Sequence, residues 1–180
     1  MNRPFPPLTL VLGGASSGKS LWAEQLVLSA NKPAVYLATA QAFDPEMQRK
    51  IEAHQARRGT EWSLFETAHD PAQALVNAPD NQVILLDCLT LWLSNLMHNK
   101  ADIEAELTRL ITALNTCKSP VVCVSNELGL GLVPDTSLGR KFRDWQGVIN
   151  QRIAAQADLV TFVAAGLPMA LKGELPQVQP

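Results

Sequence analysis

Eight residues near the N-terminus, Gly13, Gly14, Ala15, Ser16, Ser17, Gly18, Lys19 and Ser20, are the types that phosphate chemistry needs. They satisfy G-x-x-x-x-G-K-[ST]. They also stand after the apolar run LTLVL and before the helix-forming LWAEQLVLSA, the placement that gives the pattern its meaning. Glycines let such a loop wrap with its N–H groups turned inward at phosphate oxygens, and the following helix N-terminus adds a field that favours anions. Lys19 is then placed to neutralise the β- and γ-phosphates, and the Ser20 hydroxyl to complete the coordination of Mg²⁺. The alternative is a chance glycine-rich turn, which the flanking strand and helix argue against.

A phosphate loop of this kind needs a carboxylate on the metal side, from the end of a neighbouring strand. VILLDCLT offers Asp87 as that second metal ligand, a Walker B residue. Two more stretches leave apolar runs at the edge where open α/β sheets bind ligands. YLATAQAFD, from Tyr36, departs through small residues that permit close backbone approach. VSNELGLGLVP places Asn126 and Glu127 at a strand end before a Gly-rich loop. For those two residues, turn chemistry and a site role both stay open.

KIEAHQARRG, residues 50–59, carries a histidine in an unexpected place. Met47, Ile51, His54 and Arg58 share one face at helical spacing, so an imidazole occupies a position on an apolar stripe. One reading is a half-buried histidine near a helix end, where a cationic last turn suits the helix dipole. The other is a side chain aimed at a ligand, with Arg57 and Arg58 beside it. His69, in a turn before Pro71, and His98, at a helix end, read as structural.

The elements that must position these residues follow from apolar periodicity. Strand-length runs at 8–12, 34–39, 62–66, 83–87, 121–125 and 159–164 alternate with helical stretches at 19–30, 45–58, 71–78, 89–98, 103–116 and 137–157. Asp44-Pro45-Glu46 opens the second helix as cap and first turn. Near-continuous apolar strands separated by helices predict an α/β fold, a three-layer αβα arrangement on a mostly parallel central sheet. We expect one catalytic domain over residues 1–174, with the Pro-rich 175–180 fraying.

Composition excludes several classes. With 47% apolar residues in 180, the chain can bury a real core. Fifteen Lys and Arg against seventeen Asp and Glu leave a net charge of −2, unlike a general nucleic-acid binder. The basic residues nevertheless cluster, at Arg49, Lys50, Arg57 and Arg58 and again at Arg140, Lys141 and Arg143, which suits a small anionic ligand. Cys88, Cys117 and Cys123 form no C-x-x-C pair and read as reduced thiols of a cytoplasmic protein. The most apolar helix, around 89–97, is too short to span a bilayer.

Taken in order, GGASSGKS, ATAQAFDPEM, RKIEAHQARRGTEW, LLDCLTLWLSNL, VSNELGLGLVP and FRDWQGVINQRIAAQAD resemble the bifunctional adenosylcobinamide kinase/adenosylcobinamide-phosphate guanylyltransferases. The resemblance runs from about residue 8 to 173. A phosphate loop is common to many families, but N-E-x-G-x-G-x-V-P followed by F-R-D and N-Q-R-x-A-A is far more specific. It implies a P-loop NTPase-like fold and two reactions of cobalamin biosynthesis. ATP or GTP phosphorylates the aminopropanol hydroxyl of adenosylcobinamide. GMP from GTP is then placed on that phosphate through a guanylylated histidine, which matches His54. The resemblance further implies nucleotide contacts at Gly13 to Ser20, at Ala38, Thr39 and Ala40, at Gln55, Ala56, Arg57 and Arg58, and at Glu66 and Asp87. It also implies Mg²⁺ and a homotrimer. Ser16 departs from the Arg that many relatives carry in the loop, and Asp87 from the Glu of some. Two other readings compete: a single-activity P-loop small-molecule kinase in which His54 only packs, and a nucleotide-dependent switch without chemistry.

Overall fold

The computed structural model describes residues 5–41 and 59–176. The helix expected over 45–58, with His54, Gln55, Ala56, Arg57 and Arg58, lies outside the described residues.

Among the described residues, seven strands form one sheet: β1 (Leu8–Gly13), β2 (Ala34–Ala38), β3 (Trp62–Glu66), β4 (Val83–Asp87), β5 (Val121–Asn126), β6 (Leu159–Ala164) and β7 (Leu167–Lys172). Their spatial order is β3-β2-β4-β5-β1-β6-β7. All neighbours pair in parallel except β6 and β7. The described helices are α1 (Lys19–Ser29), α2 (Pro71–Val76), α3 (Leu89–His98), α4 (Ile103–Thr116) and α5 (Ser137–Gln156). The expected α/β architecture is present.

Helices cover both faces because the inner strands are apolar on both. Leu8, Leu10 and Leu12 of β1 point to one side, where Leu93 of α3, Leu107 and Leu110 of α4, and Ile149 and Ile153 of α5 complete a core. Val11, Leu85 and Val124 point to the other side, against Trp22, Ala23 and Leu26 of α1. Caps fix where the helices begin. Asp70 accepts a hydrogen bond from the Gln73 N–H (2.9 Å), and Pro71 sits in the first turn of α2. Asp102 accepts from the Ala105 N–H (3.1 Å), and Glu104 and Glu106 set negative charge in the first turn of α4.

Sequence and structure differ at particular places. β1 and β5 each run one residue past the expected end, to Gly13 and Asn126. α2 stops at Val76, with Asn77 as its C-cap. β7 was absent from the expected elements altogether. It is an exposed edge strand containing Pro168, and a proline that cannot donate to a ladder hides a strand from pattern reading. Its hairpin turns on Ala165 and Gly166, both at positive φ (51° and 78°), as a two-residue primed turn requires.

Candidate active site

The phosphate loop is held from both sides. A Cβ on Gly13 would collide with Ser17 Oγ and come within 2.7 Å of the Val163 carbonyl oxygen. Gly18 has φ of +92°, and a Cβ there would come within 3.0 Å of Gly166 Cα. The Gly166 N–H donates to the Ser17 carbonyl (2.8 Å), so the β6–β7 hairpin that pattern reading missed buttresses the loop. The Trp22 N–H bonds to the Gly18 carbonyl (3.0 Å) and starts α1 directly behind it.

Lys19 Nζ reaches back to the Gly14 carbonyl (3.1 Å), the geometry of a lysine folded over the loop. Burial lowers its pKa from the ordinary lysine value, while neighbouring Cys88 and Asp87 act in the opposite direction. Burial also pushes the Cys88 thiol up to about 12, so it stays protonated and is no nucleophile.

Asp87 closes β4 as the sequence suggested, and the Tyr36 hydroxyl donates to its Oδ2 (2.8 Å). Tyr36 lies two residues before Ala38, on the same face of the adjacent strand, and it was not singled out as a site residue. The residues after β2 are fixed by Thr39. Its hydroxyl donates to the Cys88 carbonyl (2.7 Å) and accepts from the Cys88 N–H (2.8 Å). Asn95 of α3 then holds the Thr39 and Ala68 carbonyls, each at 2.8 Å. Thr39 is fully buried, so we expect Thr39→Val to strand the Cys88 peptide groups and cost about 2–3 kcal/mol. Thermal or urea unfolding checks this; a variant as stable as the parent contradicts it.

Ala38 is in register with both Asp87 and Glu66, so the carboxyl ends of β4, β2 and β3 finish level. Glu66 is exposed there. Four strand spacings, about 19 Å in all, separate β3 from β1. The expected nucleotide contacts among the described residues therefore spread along the carboxyl edge from Gly13–Ser20 after β1 to Glu66 at the outer strand β3.

The hard oxygen donors Ser20 and Asp87 suit Mg²⁺, which usually takes one or two protein ligands and fills its shell with water and phosphate oxygens. No group of three His, Cys, Asp or Glu side chains suited to a metal occurs among the described residues. We expect Asp87→Asn to raise the Mg²⁺ concentration for half-maximal activity about tenfold or more, since an amide lacks the charge a hard cation prefers. An unchanged metal curve would remove Asp87 from that role.

His69, and Arg140 of the second basic group, make structural contacts. His69 lies between Gln41 Nε2 (3.0 Å) and Asn99 Nδ2 (3.2 Å). Arg140 Nη1 donates to the Pro134 and Asp135 carbonyls, both at 2.9 Å, bracing the start of α5.

A phosphate loop after the inner strand β1, a lysine at the start of α1 and an acid ending a strand two places away define a P-loop nucleotide-binding αβα protein. The RadB recombinase shares the fold, with a TM-score of 0.53 at 19% identity over 88% of this chain and 75% of that one. The model of the family "Cobinamide kinase / cobinamide phosphate guanyltransferase" matches residues 9–171. The bifunctional adenosylcobalamin biosynthesis protein CobP of Pseudomonas aeruginosa is 44% identical over 168 residues, covering 92% of this chain and 97% of the relative. CobU of Escherichia coli, described by the same name, is 36% identical over 181 residues, covering 92% and 99%. The chain belongs to the cobinamide kinase / cobinamide phosphate guanyltransferase family. Among the described residues, no helix is long and apolar enough to cross a membrane.

Proposed function

We propose that this protein carries out both reactions of its family on adenosylcobinamide, and that His54 carries the nucleotide between them. The observation that supports it most is the joining of a built phosphate loop to a family match over nearly the whole chain. In the first reaction the aminopropanol hydroxyl oxygen bonds to the γ-phosphorus of ATP or GTP. The bond from that phosphorus to the β,γ-bridging oxygen breaks, the nucleoside diphosphate leaves, and the hydroxyl proton is released. Little covalent work falls to the protein in such a transfer, so positioning and charge dominate. Lys19 supplies the positive charge, and the loop N–H groups orient the phosphates. Mg²⁺, when bound through Ser20 and Asp87, supplies charge neutralisation at the phosphate oxygens.

In the second reaction a neutral imidazole nitrogen of His54 attacks the α-phosphorus of GTP and pyrophosphate leaves. The resulting phosphoramidate is broken when an oxygen of adenosylcobinamide phosphate takes the GMP, giving adenosyl-GDP-cobinamide and restoring the histidine. Such a relay splits one hard transfer into two easier ones. An imidazole suits the task because its ordinary pKa lies near neutrality. Arg57 and Arg58, three and four residues on in the sequence, hold phosphate oxygens as charge builds. Gln55, Ala56, Glu66 and the Ala38–Ala40 backbone complete the nucleotide's surroundings. The active assembly is a cytoplasmic homotrimer.

Incubation with Mg²⁺ and α-labelled GTP, followed by denaturing electrophoresis, tests the relay. Label should remain on the chain, resist alkali and be lost in mild acid, as a phosphoramidate behaves. Kinase turnover with no labelled chain would favour the alternative, a single-activity kinase without a covalent histidine.

A further inference from the structure

Between the phosphate loop and Asp87 runs β5, and its last residue has been built into place with unusual care. Gly13 of β1 is in register with Asn126, and Asp87 of β4 with Val124. Parallel neighbours in register point the same way, and Val11 and Val124 both pack on the α1 side. The Asn126 side chain therefore leaves the sheet on the face where the phosphate loop turns into α1, between that loop and Asp87.

Its backbone is fixed from three directions. The Asn126 N–H donates to Thr90 Oγ1 (2.9 Å), Asn150 Nδ2 donates to the Asn126 carbonyl (3.0 Å), and the next N–H, of Glu127, donates to the Gly13 carbonyl (3.0 Å). Behind it lies a buried polar cluster. The Ser125 hydroxyl donates to Asn150 Oδ1 (2.6 Å), and Gln146 Nε2 donates to Ser125 Oγ (2.8 Å) and Asn150 Oδ1 (3.1 Å). Ser125 and Gln146 are fully buried. Burying three polar side chains is costly unless they are hydrogen-bonded, and the bonds these make to one another and to the Asn126 carbonyl hold the end of β5.

Buried side-chain oxygens without a hydrogen-bond partner among the described residues include Ser17 Oγ and Asn126 Oδ1 at this edge and Gln146 Oε1 in the cluster behind it. The Asn126 amide thus holds an unmet hydrogen-bonding atom beside the loop, and rotation about its last side-chain bond turns its NH₂ group to whatever occupies the loop. We propose that Asn126 is a ligand-contacting residue of the nucleotide site, its amide donating to the terminal phosphate of the bound triphosphate. This assignment rests on the phosphate-loop reading above. A neutral donor serves here where an acid would not, because a carboxylate would repel the phosphate and crowd Asp87. The contact gives the site a means of distinguishing triphosphate from diphosphate, since a diphosphate bound through the loop does not extend to it.

Equilibrium binding of β,γ-imido-GTP and of GDP, each with Mg²⁺, tests the assignment. A His54→Ala background keeps the probe from being consumed. Asn126→Ala should weaken triphosphate binding about tenfold or more while leaving GDP affinity nearly unchanged, the loss of one charge-assisted hydrogen bond. Asn126→Asp, the same size, should be worse than Asn126→Ala for the triphosphate alone. A merely structural asparagine would instead lower the melting temperature and weaken both nucleotides together, and that result overturns the proposal, as does an unchanged preference for triphosphate. Lys19→Ala separates the two levels of failure. If it binds triphosphate normally, the phosphate-loop reading falls and takes Asn126 with it. If it loses triphosphate while Asn126→Ala keeps its preference, the Asn126 assignment alone is wrong.

Discussion

Lys19→Ala should abolish phosphorylation of adenosylcobinamide, with a loss of about 10²–10³ or more in turnover from one removed cation at the transferring phosphoryl group. Lys19 starts α1 and its side chain folds back to the Gly14 carbonyl, so its charge lies over the loop that we propose holds the phosphates. Alanine keeps the helix and removes the charge. The fold should survive, because Lys19 is only partly buried and its hydrogen-bond partner is a loop carbonyl. Guanylyl transfer, assayed separately with adenosylcobinamide phosphate supplied, should fall as well, because GTP must also be held by its phosphates. Near-normal rates in both assays would mean that the loop does not hold the reacting triphosphate. Loss of the kinase alone would place the guanylyl step towards the β2 and β3 end of the edge, where Ala38 and Glu66 finish level.

How far the site could be read from sequence depended on whether its parts were local. The phosphate loop is eight consecutive residues whose chemistry is written in their order, and the structure places it at the end of β1 as expected. Asp87 was legible because an acid that ends an apolar run stands out. What holds these parts was not legible, because it comes from far along the chain. Tyr36 supports Asp87 across 51 positions, and Thr39 locks Cys88 across 49. Gly166 braces Ser17 from a hairpin whose second strand carries a proline and an exposed face, so neither period nor propensity announced it. Gln146 and Asn150 stand one helical turn apart on α5, a spacing that could have marked a buried polar pair on an otherwise apolar face. Asn126 left two readings open because a strand-end asparagine is ordinary until its neighbours are known. The hydrogen bonds around it then show a position held from three sides.

His54→Ala should divide the two reactions. Covalent labelling from α-labelled GTP should vanish, and GMP transfer to adenosylcobinamide phosphate should drop to background, because alanine offers no nucleophile for the α-phosphorus. Phosphorylation should persist at a reduced or near-normal rate, since transfer of a γ-phosphoryl group to a hydroxyl needs no protein nucleophile. That asymmetry makes the variant informative: a histidine that merely packs would disturb both rates together or neither. Arg58→Ala gives a second check, four residues on. It should slow labelling by about tenfold or more through the loss of one charged donor, with His54 still present to accept the label. A His54→Ala protein that still labels with GMP, or a wild-type adduct that survives acid, would return His54 to its other reading, a packing residue. The proposed roles of Lys19 and Asp87 in phosphorylation do not depend on that outcome.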